Sequence, residues 1–145
     1  MQTDAEHLLE LIAFTKPYET PFGARIVDSA TGTVLLQVVN QVAENNDPTA
    51  HAELLAVRLA CQQRQSPSLA GFTLYSTCEP CPMCMGSLLW AELDRVVFGA
   101  TIADAARHYA QIYIPAQEVA QRSDFQTIVE GPLLQAECYT LFPKP

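Results

Sequence analysis

The chain has 145 residues, 49% of them hydrophobic, which suits one domain spanning 1–145 and excludes a disordered or fibrous protein. Sixteen acidic residues against eight basic ones give a net charge of −8, and the arginines and lysines form no run or stripe. Tight nucleic-acid binding draws on phosphate neutralisation, so a nucleic-acid partner is not expected, and no apolar run reaches the length that would cross a membrane.

Asp4 precedes Leu8, Leu9, Leu11, Ile12 and Phe14, a pattern that predicts a helix over 4–16 capped by Asp4 and stopped by Pro17. The opening MQTDAEHLLELIAFTK has acids among its apolar residues and no basic start, so it does not read as a signal peptide. His7 reads as a surface position on that helix. The runs 24–28 and 33–39 flank Ser29-Ala30-Thr31-Gly32 and predict a hairpin. Asp47-Pro48 reads as the start of a helix that runs to about Gln63. FTLYS (72–76) predicts a strand, Pro80 onward a helix, and RVVFGA (95–100) another strand. Beyond them come short helices in DAARHYA and IPAQEVAQRS, a strand over 125–131 and a closing helix over 132–142. Strands separated by helices imply a sheet covered on both faces, and the hairpin makes that sheet mixed.

The chemistry concentrates in two places. Cys81 and Cys84 stand three apart at a helix start, which puts both sulfurs on one face and favours thiolates. Two thiolates are half of a tetrahedral zinc site, although the same pair fits a redox motif. His51 opens the other well-capped helix and is the candidate third ligand; Glu53 lies two residues on. Residues two apart on a helix are rotated by about 200°, so both reach one ion only at the helix entrance. Cys78 leaves open a closed, structural Cys3His site, in which Glu53 has no role. Five cysteines without an export signal suit a reducing, cytoplasmic setting. Cys61 and Cys138 read as core thiols, and His108 as a loop histidine or a substrate contact. Trp90 and Phe22 are each a core aromatic or a pocket wall, and Asn40 a turn cap or a reader of a base edge.

NDPTAHAE (46–53) and TLYSTCEPCPMCMGSLLWAELDRVVFGA (73–100) carry the H-x-E and P-C-x-x-C signature of zinc base deaminases. Over about 21–105 the chain resembles the cytidine/deoxycytidylate deaminase superfamily, nearest its guanine deaminase and tRNA-specific adenosine deaminase branches. The resemblance implies a three-layer α/β/α fold around a five-stranded mixed sheet, zinc (Zn2+) on His51, Cys81 and Cys84, and Glu53 as proton shuttle. It also implies a homodimer. PFGA (21–24), Cys78 and Trp90 look more like the guanine branch, which carries a cysteine at that position without using it for zinc. By the same resemblance Phe22, Asn40, Ala52 and Trp90 would contact the base. After residue 105 the chain departs from that branch: ARHYAQIYIP (106–115) has no acid where guanine deaminases carry a GFDD-like stretch.

The expected function is a hydrolytic deaminase that frees ammonia from a free base or nucleoside, guanine or a related aminopurine first. One alternative is adenosine deamination in a tRNA anticodon loop. The other is a zinc-stapled binding module without turnover.

Overall fold

The structure is a computed structural model that describes residues 1–144. Five strands form one sheet in the order β2-β1-β3-β4-β5: β1 Gly23–Asp28, β2 Val34–Val39, β3 Phe72–Cys78, β4 Arg95–Ala100 and β5 Ile128–Glu130. β1 is antiparallel to both β2 and β3, whereas β3, β4 and β5 run parallel. The mixed sheet expected from the hairpin and the crossovers is therefore present.

Side-chain alternation along the strands splits the core in two. Ile26, Leu74 and Val96 face a layer built from α3 (Ala52–Arg64), α4 (Pro82–Trp90) and α6 (Ala116–Gln121). Their neighbours Val27, Tyr75 and Val97 face Leu8 and Leu11 of α1 (Asp4–Thr15) and Cys138 of α7 (Gln135–Tyr139). The three layers follow from that period of two. Any side chain at Gly99 would collide with the Cys138 sulfur, so glycine there lets α7 lie close on β4. Two short helices complete the chain, α2 (Val42–Asn45) and α5 (Ile102–Ala106).

Several local expectations are corrected. The cap of α1 is Thr3, whose hydroxyl accepts from the Glu6 N–H at 3.2 Å, while the Glu6 carboxylate accepts from the Thr3 N–H. Asp4 instead pairs with Arg95 at 2.6 Å and accepts from the Tyr75 hydroxyl, tying α1 to β3 and β4. The first helix does end before Pro17, at Thr15, and Lys16–Tyr18 add one tighter turn, which suits proline at an early helical position. Asp47-Pro48 does not open α3. The Asp47 carboxylate accepts from the N–H and hydroxyl of Thr49, closing a turn before the helix begins at Ala52. His7 is buried, stacked on Tyr75 at 4.8 Å and hydrogen-bonded to Arg25 at 3.1 Å. The predicted strand over 125–131 shrinks to Ile128–Glu130, and the closing helix to Gln135–Tyr139.

Candidate active site

α3 and α4 both begin at the same end of the sheet, and their N-terminal caps meet. His51 caps α3 with extended backbone (φ −68°, ψ 152°), and Cys81 caps α4 in nearly the same conformation (φ −67°, ψ 167°). Cap positions usually carry Ser, Thr, Asp or Asn bonded to the helix's own N–H groups. Neither His51 nor Cys81 makes such a bond, so both side chains are free to face outward from the helix ends. His51 thereby stands outside the helical rotation that separates residues two apart, and Glu53, in the first turn, lines the same cavity.

The donor atoms of His51, Cys81 and Cys84 all lie within 4.8 Å of one another, with His51 Nδ1 3.6 Å from Cys81 Sγ. Zinc held tetrahedrally at about 2.0–2.3 Å separates its ligand atoms by roughly 3.3–3.8 Å, so these residues fit the ion. Cys78 stands outside the group; its thiol is buried and points to the Thr101 carbonyl at 3.8 Å. Among the described residues the donor set therefore has three members, which leaves a fourth tetrahedral position for a non-protein ligand.

The electrostatics divide the roles. The hydrogen bond from Cys84 holds Cys81 far below the usual thiol range, with His51 adding to it. The same bond, with burial, pushes Cys84 up. The orphan N–H groups of α4 favour the thiolate at its entrance. Glu53 is only 6% exposed. Burial pushes its carboxyl up to about 7, and the Cys81 thiolate adds to the push. A carboxyl so placed exchanges protons near neutral pH.

A cavity of about 430 Å³ opens over His51, Glu53 and Cys81. Phe22 and Asn40 line it. Ala52 is fully buried in the core beneath, and Trp90 is 76% exposed, edge-on to Phe125 at 5.1 Å. The structure does not bring these two to the cavity wall within this chain. The wall also contains Glu19, Glu44, Glu79 and Tyr109, to which no role is assigned from sequence. Glu79 is a positioning group: its carboxylate accepts from the N–H of Ile102 at 3.0 Å and of Ala116 at 2.9 Å, anchoring the starts of α5 and α6. The signal for it was its place directly after β3, beside the cysteines.

The sequence pattern described as the cytidine and deoxycytidylate deaminase zinc-binding region matches residues 4–100. The chain belongs to this family. A guanine deaminase of Bacillus subtilis is 42% identical over 105 residues, 68% of this chain and 66% of its own length. A tRNA-specific adenosine deaminase of Aquifex aeolicus is 43% identical over 82 residues, 57% of this chain and 53% of its own. The chain thus covers between about half and two thirds of these relatives. The solved structure of a guanine deaminase from Nitrosomonas europaea superposes with a TM-score of 0.82 over 95% of this chain and 80% of its own, at 23% identity. That likeness establishes the cytidine deaminase-like fold.

Proposed function

We propose that the chain is a zinc-dependent hydrolytic deaminase of a free nucleobase or nucleoside, with guanine or a related aminopurine as substrate. The observation that carries the reading is a buried carboxyl, Glu53, lining the same cavity as His51 and Cys81 beside the group of three zinc-type donors, without belonging to that group. His51, Cys81 and Cys84 would hold the ion. When bound, zinc supplies a water acidic enough to ionise near neutral pH. Glu53 would take one proton from the attacking water as the water oxygen adds to the ring carbon bearing the amine. Glu53 would hand that proton to the adjacent ring nitrogen, then take the second proton from the added hydroxyl and give it to the exocyclic nitrogen, so that the C–N bond breaks, ammonia leaves and the hydroxyl becomes a carbonyl. Asn40 would read the base edge and Phe22 would pack on its face.

The wall chemistry supports a small substrate without phosphate. Glu19, Glu44 and Glu79 line the cavity with Glu53, and among the described residues no lysine or arginine does. A phosphate at this mouth would meet carboxylates where a nucleic-acid site offers cations. The guanine deaminase relative points the same way, and the tRNA-specific relative marks the competing reading. A homodimer is an expectation of the family resemblance, and a cytoplasmic setting an expectation of the cysteine content.

The test sets guanine, other aminopurines and their nucleosides beside an anticodon stem-loop and follows ammonia. The reading expects ammonia from an aminopurine, with a KM that barely changes between about 50 and 200 mM salt. Inosine formed in the RNA with silence on every base and nucleoside would overturn it. Binding without release from either substrate class would favour the binding module.

A further inference from the structure

We infer that Tyr109 is a substrate-stacking residue of the cavity wall, taking the base-stacking role that sequence resemblance gives to Trp90. The inference rests on the reading of a flat nucleobase substrate. Three observations carry it. Tyr109 and Phe22 both line the cavity, with ring centroids 5.6 Å apart and planes inclined at 57°. A base inserted between two rings needs about 7 Å, twice the contact distance of stacked carbons. These rings therefore do not form a sandwich. They form a corner, against which a flat ring lies face-on to one and edge-on to the other.

The corner is braced from behind. Phe142 meets Phe22 edge-on at 5.7 Å and lies 6.3 Å from Tyr109. His108 stacks on Phe142 at 5.3 Å and hydrogen-bonds the Tyr139 hydroxyl at 2.8 Å. The N–H groups of His108 and Tyr109 both donate to the Ala105 carbonyl, at 3.0 and 2.9 Å. Tyr109 is thus held although it lies outside regular structure, and it keeps 40% of its surface exposed. This arrangement gives His108 its place: it supports the wall and does not line the cavity. Trp90, by contrast, has its ring on Phe125.

A stacking contact is made equally in the ground and transition states, so its loss raises KM and leaves kcat alone. Steady-state ammonia release from guanine by the zinc-loaded chain is measured for Tyr109→Leu, Tyr109→Phe and Tyr113→Leu. Tyr113 is 73% exposed on the same segment and does not line the cavity. The expected result is a KM raised about 5- to 150-fold in Tyr109→Leu, the span of base–aromatic stacking, with kcat within twofold. Tyr109→Phe restores KM to within about threefold, because the ring face is kept. Tyr113→Leu behaves as wild type. Wild-type turnover with an unchanged KM in Tyr109→Leu overturns this inference alone, as does an equal rise in Tyr113→Leu or a fall confined to kcat. A wild-type chain that acts on no aminopurine overturns it together with the reading it rests on.

Discussion

The stretch from β3 to the end of β4 and the stretch after β4 make opposite contributions to one cavity. In the first, every element is regular: β3 is buried along its whole length and α4 follows it after a short turn. Cys81 and Cys84 sit at the start of its helix α4, and His51 meets them from the start of α3 outside the stretch, so helix ends hold all three donors. The second stretch contains two short helices, an irregular run over 107–115 and exposed Ile112, Tyr113 and Ile114. Yet it supplies Tyr109 and Gln111 to the cavity wall. The family pattern ends at residue 100, where the first region gives way to the second. Reaction chemistry needs donors fixed to fractions of an ångström, whereas selectivity needs only a shaped and braced wall. The two demands are met by different kinds of backbone.

The largest break in that comparison comes from the rigid half. Cys81→Ala or Cys84→Ala is expected to abolish zinc binding, read as metal per chain after dialysis. A ligand bound only by the folded state at about 1,000-fold over its Kd adds about 4 kcal/mol. Its loss is expected to lower Tm by about 10 °C. Cys78→Ser sharpens the same point: zinc content stays at one per chain, because that sulfur stands outside the donor set. Zinc loss from Cys78→Ser equal to that of the other two variants would convert the open site into a closed Cys3His site.

A smaller effect lies at the opposite end of the sheet. Asp4→Asn removes one side of the contact with Arg95, which is itself shared with Glu130 at 3.0 Å. The pair is partly exposed, so solvent screening leaves about 1 kcal/mol, or about 3 °C in Tm at pH 7. The hydrogen bond from Arg95 holds the Asp4 carboxyl below its ordinary 3.8. A depressed carboxyl contributes its stability above the unfolded value and loses it as pH falls through the folded one. The Tm gap between wild type and Asp4→Asn is therefore expected to be full at pH 7 and to shrink steadily below about pH 4. A gap independent of pH would place the effect in helix capping.

His7 works in the same direction at higher pH. Burial and the neighbouring Arg25 guanidinium hold its imidazole below the usual 6.5. Charging it costs stability, so stability is present above about pH 6.5 and lost as pH falls through the folded value. His7→Gln is expected to flatten the decline of Tm between about pH 6.5 and 5.

Legibility from sequence followed the same division. The motifs in 46–53 and 73–100 gave the three metal-type donors, the cavity carboxyl Glu53 and the cores of β3 and β4, because each depends on local spacing or on a run of buried residues. Four features were out of reach for a common reason: they depend on partners far away in the chain. Asp4 looked like a cap until Arg95 and Tyr75 claimed its carboxylate. His7 looked exposed because nothing local shows Arg25 beneath it. Trp90 looked like a pocket wall because it follows Cys84 on one helix, whereas α4 turns it onto Phe125. Tyr109 had no local signal, since its neighbours Phe22 and Phe142 lie at the two ends of the chain.

The central claim is an open metal site served by a carboxyl that is not a ligand, and Glu53→Ala tests it most directly. Zinc content and ammonia release are measured on the same preparation. The account predicts one zinc per chain, an unchanged fold and a loss of turnover exceeding about 10²-fold, since general acid–base help alone is worth about 10²–10⁴. Retention of more than about a tenth of the activity, or departure of the metal with the carboxyl, would contradict it.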